Sequence, residues 1–292
     1  MRIKRIGHTL AELLVPIFIY ALFCIENGYV ISKIIGVYVE NLILKGIMVT
    51  VSNIAFGCIL LLIYRYLFKM KIKEYFVFSV FDVKKIFCIF LFVQGYTILI
   101  SRFLYELRIE ELPYILGRSS TLYSWQEVFC VAVSAVFSAP FMEEIIFRLG
   151  MFGFARSRAG KLYGLFLSSI LFAFAHNGGR ARSLHLVIDA IVLAILLWKT
   201  RNILYPMLFH LSVNFWITIL GIADRLISRR YGKIEGVLAW TERNLLVTHD
   251  ILLYISIVGL VIGMVLYYHI YHRKRDKKEN EVFKKEREAI DE

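Results

Sequence analysis

Apolar residues fall along this chain in long runs separated by short clusters of charge. About eight runs can be drawn: Leu10–Val30, Ile47–Phe68, Ile86–Leu104, Val128–Leu149, Leu162–His176, Leu184–Trp198, Leu204–Ile222 and Ile251–Tyr271. A helix crossing about 30 Å of hydrocarbon needs roughly 20 residues, and most of these runs approach that length. The pattern predicts an all-α, polytopic membrane protein with about eight transmembrane helices. The fourth and sixth runs contain ionisable residues, which hydropathy alone would penalise.

Composition agrees with the pattern. Of 292 residues, 59% are hydrophobic and 15% aromatic, and the mean hydropathy is +0.65, too apolar for a soluble domain of this size. Cys24, Cys58, Cys88 and Cys130 stand singly inside apolar runs. None forms a CxxC or Cys/His cluster, so neither redox nor metal chemistry is indicated by them. The N-terminus, MRIKRIGH, is basic like a signal peptide, but no small-x-small cleavage site follows near Cys24 to Gly28, so a retained first helix is expected.

The net charge of +12 does not point to nucleic acid, because Lys and Arg concentrate at the ends of apolar runs, where lipid headgroups and the positive-inside rule account for them. Arg2, Lys4 and Arg5 precede the first run. Lys69, Lys71, Lys73, Lys84 and Lys85 lie between the second and third, and Arg156, Arg158 and Lys161 between the fourth and fifth. With eight alternating spans these clusters, Lys199, Arg201 and the tail fall on the cytoplasmic side, as do both termini. Arg225, Arg229, Arg230 and Lys233 would then be external, against the rule. Residues 273–292 mix both signs densely and read as a solvated tail.

Candidate chemistry begins inside the fourth run, in Ala139-Pro140-Phe141-Met142-Glu143-Glu144-Ile145-Ile146-Phe147-Arg148. A carboxylate at bilayer depth costs about 2.5–3.5 kcal/mol on insertion scales and marks function by default. Glu144 and Arg148 are spaced i, i+4 and can neutralise each other on one helix face. Glu143 has no such partner on its own helix, which suits a general base. His176 ends the next apolar run, before Asn177-Gly178-Gly179. His210 and Asn214 lie one turn apart and project to one side of a further helix. If the chain turns near Ala159, Glu143 and His176 reach similar depth, whereas His210, nine positions past Arg201, would be shallower by roughly 10 Å. His185 and Asp189 are also one turn apart, readable as a structural pair or as Asp189 orienting a reactive histidine.

The sequence EExxxR, FxxxH, HxxxN on successive apolar segments resembles the three motifs of the CAAX-processing and bacteriocin-processing family of intramembrane proteases, over about Val128 to Ile222. The resemblance implies an all-α bundle around a buried polar catalytic cavity. It implies Glu143, His176, His210 and Asn214 as catalytic residues, with Glu144 and Arg148 supporting them, and no cofactor. Leu149, where the family has Gly directly after the motif arginine, and Leu211, in place of a small residue, depart from its pattern. On this reading 1–123 holds N-terminal transmembrane helices, 124–223 the catalytic core, 224–272 an extramembrane loop and the last helix, and 273–292 a charged tail.

The expected function is hydrolysis of a peptide bond in a membrane-associated protein or peptide precursor. Water would be activated by Glu143 and His176, with His210 and Asn214 at the oxyanion. The expected partners are that substrate and the lipid bilayer, not nucleic acid. The expected location is a bacterial plasma membrane. Two rivals stand beside this reading. One is a protease with zinc on His176, His210 and a glutamate, although HExxH spacing is absent. The other is a transporter or immunity protein whose buried charges line a path or bind a partner.

Overall fold

The computed structural model describes residues 2–76, 124–176 and 180–215, seven positions between 90 and 100, and Thr218. Every regular element among the described residues is helical. Helices satisfy their backbone polar groups internally, as hydrocarbon demands. Helix α1 runs Arg2–Ile25 and continues through wider i→i+5 turns, Glu26–Ile35, into Gly36–Tyr38. Helix α2 is Leu42–Tyr66, α3 is Trp125–Arg156 with a last turn reaching Ala159, α4 is Lys161–Ala175, α5 is Arg180–Thr200 and α6 covers 204–215.

Three of these, at Leu14–Tyr38, Leu42–Tyr66 and Trp125–Arg156, are long and apolar enough to cross a membrane, and α4 is a shorter apolar helix. This chain is therefore an all-α membrane protein. Five of the eight expected runs appear as helices with shifted ends. The third and seventh runs are described only in part, and the eighth lies outside the described residues. Capping explains two shifts. Asn41 Oδ1 accepts from Leu44 N at 3.0 Å, starting α2 five residues early. Ser124 and Glu127 form a reciprocal capping box that starts α3 at Trp125.

Helix α3 is the central element. Helices α1 and α2 pack along it, α4 runs back beside its second half, and α5 packs on α4. Its residues Ile145, Ile146, Phe147, Leu149 and Met151 are fully buried, against Ile19 and Phe23 of α1, Leu60 and Tyr64 of α2, Phe172 of α4 and Ala194 of α5. A smaller cluster joins Val93 and Tyr96 to Leu193 of α5 and Phe209 of α6.

Between helices in lipid the gain comes from close packing rather than from leaving water, so small residues sit where backbones meet. A Cβ at Gly150 would run into the Tyr64 hydroxyl, which is buried with no hydrogen-bond partner among the described residues. Gly150→Ala is expected to destabilise the protein by about 1–3 kcal/mol, as overpacking does. Adding Tyr64→Phe should recover only part of that loss, because it removes an oxygen with no bond to lose but keeps the ring carbon that the new Cβ also meets. Thermal midpoints of the single and double variants in detergent check this; a double variant no more stable than Gly150→Ala would refute it.

The helix junctions that carry basic residues meet at one end of the bundle. Phe68 packs on Phe154 at 5.2 Å between centroids, joining the turn after α2 to the end of α3. Ile203 N donates to Tyr75 O at 2.8 Å, joining that same turn to the start of α6. Lys161 and Lys199 lie over the Trp198 ring at 4.2 and 4.9 Å. Lys69, Lys71, Lys73, Arg156, Lys161, Lys199 and Arg201 therefore share one side, as the charge pattern of the sequence requires.

Candidate active site

Glu143 is the last residue of an ordinary α-helical stretch of α3, Ala139–Glu143, and Glu144 opens a wider i→i+5 stretch, Glu144–Gly153. Such widened turns inside helices recur at functional sites. The α3–α4 turn is made at Gly160, whose φ of 97° suits a residue without Cβ. Helix α4 then rises beside α3 and ends where His176 faces Glu143: Nε2 lies 3.4 Å from Glu143 Oε2.

His210 arrives on α6. Its Nε2 lies 3.8 Å from Glu143 Oε2, and its Nδ1 lies 2.9 Å from Glu144 Oε1. The depth offset that spacing alone implied is absorbed by the α5–α6 turn, which is tucked into the protein. Asn202 and Ile203 are buried, and the Asn202 side chain caps α6 through Leu204 N at 3.1 Å.

The hydrogen-bond partners fix which ring nitrogen carries a proton. His176 Nδ1 is 2.8 Å from Phe172 O, and a carbonyl only accepts, so Nδ1 donates. His210 Nδ1 donates in the same way to the Glu144 carboxylate. Both histidines therefore turn Nε2 towards Glu143.

Glu144 serves two partners. Its Oε2 is 3.1 Å from Arg148 Nε, an ion pair with poor hydrogen-bond alignment, while Oε1 takes His210. Both side chains are fully buried, and Arg148 also feels the charges of Glu143 and Asp189. The Arg148 guanidinium rests 4.4 Å over the Phe172 ring. Its Nη1 and Nη2 have no hydrogen-bond partner among the described residues.

Asn214 is placed differently. Its Nδ2 donates to Ala135 O at 2.8 Å, bridging α6 to α3 about 12 Å by helical rise from Glu143. That bond uses one of the two amide hydrogens. Asp189 accepts from the Tyr96 hydroxyl at 2.9 Å and pairs with His185 Nε2 at 3.5 Å. The carboxylate that orients His210 by direct contact is Glu144.

Sequence reasoning passed over a second buried polar group. Glu26 accepts from Ser52 Oγ at 2.6 Å, and Asn53 Nδ2 donates to Ser138 Oγ at 2.9 Å, linking α1, α2 and α3. Glu26, an acidic residue within the first apolar run, was the available signal.

Among the described residues no group of three or more His, Cys, Asp or Glu is arranged to hold a metal ion. The sequence model of one family, type II CAAX prenyl endopeptidase Rce1-like, matches residues 125–216, under half of the chain. No curated protein and no solved structure matches. The motif resemblance thus holds over the segment that carries Glu143, Glu144, Arg148, His176, His210 and Asn214, and it supports intramembrane protease activity of the CAAX type.

Proposed function

We propose that this chain hydrolyses a peptide bond in a membrane-associated substrate by attack of water activated by Glu143 and His176. The observation that carries the reading is the convergence of the Glu143 carboxylate with two imidazole Nε2 atoms, at 3.4 and 3.8 Å, each ring held from behind by an acceptor on its Nδ1. A carboxylate and two ring nitrogens turned towards one another need hydrogen between them. A water molecule bound there offers two. Glu143 takes one water proton as the oxygen attacks the carbonyl and hands it to His176 Nε2, which delivers it to the nitrogen as the carbon–nitrogen bond breaks and the amine leaves.

His210 is placed as an oxyanion donor: its Nδ1 is held by Glu144, and its Nε2 faces Glu143, where the oxyanion of the tetrahedral intermediate would form.

To join it, the Asn214 amide leaves Ala135 O and swings towards Glu143 when substrate binds. Asn214→Ala should lower kcat by about 10²–10³ with KM nearly unchanged. A loss of about 1 kcal/mol in stability should accompany it, from the helix bridge. Steady-state kinetics beside a melting curve separate the two roles; a lost midpoint with intact kcat makes Asn214 a bridge only.

Peptide precursors of the bacteriocin or pheromone kind rank above prenylated CAAX proteins as substrates. The site acts in a bacterial plasma membrane, with the basic end of the bundle and both termini in the cytoplasm. Lipid is the surrounding partner, and nucleic acid is none. The test is to offer the detergent-purified chain a prenylated CAAX peptide and an unprenylated leader-type precursor, and to detect fragments by mass spectrometry. The rate should survive prolonged chelation without bound zinc. Two histidines and a carboxylate are also a donor set that zinc accepts, so activity lost to chelator and restored by zinc would replace this mechanism with a metal-dependent one.

A further inference from the structure

Four side chains meet the Phe172 ring: two carry the proposed chemistry, and a third, Arg148, pairs with the carboxylate that orients one of them. The Arg148 guanidinium lies 4.4 Å over its centroid. The His176 ring lies 4.4 Å away, tilted by 39°. His210 meets it edge-on at 5.8 Å, and Phe147 edge-on at 5.1 Å. The same residue's carbonyl accepts from His176 Nδ1 at 2.8 Å. Phe172 is 2% exposed, so lipid and water do not compete for its faces.

We infer that Phe172 is a positioning residue of the active site: its π face takes the Arg148 cation, and its edge and carbonyl hold the two imidazoles at Glu143. This rests on the hydrolytic reading above. The physical case starts from Arg148, whose Nη1 and Nη2 are buried with no hydrogen-bond partner among the described residues. An uncompensated cation there would be costly. The negative face of an aromatic ring supplies compensation that an aliphatic side chain of equal volume does not.

Holding the guanidinium at Phe172 fixes which way Arg148 Nε meets Glu144, and Glu144 in turn aims His210. His176 is fixed more directly, since its ring and its Nδ1 touch the same residue. Phe172 therefore couples the motif on α3, its own motif on α4 and His210 on α6.

The test replaces Phe172 with mono-, di- and trifluorophenylalanine by nonsense suppression in the full chain, with Phe172→Leu as the aliphatic endpoint. Fluorine withdraws charge from the ring face while making it no less apolar. The expected result is a stepwise fall in kcat, on the order of tenfold at three fluorines, with KM nearly constant. The thermal midpoint in detergent should fall in the same order. That readout needs no activity, and a ring that merely filled space would not lower it. Flat midpoint and flat kcat would overturn the inference, and so would a falling midpoint with unchanged kcat. Glu143→Gln is assayed in parallel. If turnover survives in that variant the hydrolytic reading fails, whereas Glu143-dependent turnover indifferent to fluorination defeats only the role of Phe172.

Discussion

Arg148→Ala is expected to leave little folded protein in the membrane. The side chain is fully buried, 3.1 Å from an equally buried Glu144 and within the field of Glu143 and Asp189. Removing it leaves a carboxylate cluster without its cation. Breaking a buried pair by deleting one partner costs about 3–5 kcal/mol, a large share of the 5–15 kcal/mol that typically separates folded from unfolded protein. Glu144→Gln should be milder, because Arg148 keeps the field of two other carboxylates. Replacing both residues by apolar ones of similar volume, Glu144→Met with Arg148→Leu, should recover part of the yield, since the fully buried Glu144 charge goes with its partner while Glu143 and Asp189 remain. It should not restore turnover, because His210 loses the carboxylate on its Nδ1. Yield, monodispersity and thermal midpoint of the three variants decide the matter. A well-folded Arg148→Ala, or a double variant as unstable as it, would show that the pair does not hold the site together.

The proposed division between a stabilising Glu144 and a reacting Glu143 draws partly on the sequence. The i, i+4 spacing of Glu144 and Arg148 marks their pairing, and the absence of any such neighbour marks Glu143 as the carboxylate left over. What spacing does not show is that Glu144 also reaches His210, 66 positions away on another helix. The contact depends on the buried α5–α6 turn and the widened helical stretch after Glu143, neither of which has a simple residue pattern. The helices themselves were easier. Long apolar runs marked each described helix, and two of the misplaced ends lie where a cap, Asn41 or Ser124 with Glu127, starts the helix early, whereas the continuation of α1 to Tyr38 and of α3 to Ala159 follows from no cap.

Phe172 shows a different limit. It is the aromatic position of FxxxH, which sets it apart among 23 phenylalanines, but that spacing does not show whether the ring carries a guanidinium or fills space. Asp189 was visible as a charge one turn from His185, yet its shortest contact is the hydroxyl of Tyr96, 93 residues earlier. Pairings at such separations come from the packing of the bundle, not from helical periodicity.

The account turns on the Glu143 carboxylate acting as the base. The direct measurement is kcat of purified wild type and Glu143→Gln, on whichever peptide the wild type cleaves, with thermal midpoints taken on the same samples. Gln keeps the size and hydrogen-bonding reach of Glu and removes only the capacity to take a proton, and such a base contributes about 10²–10⁴ to the rate. The predicted result is a loss of that order or greater, with Glu143→Gln as monodisperse and nearly as stable as wild type. Turnover within about tenfold of wild type would contradict it and remove Glu143 from the reaction.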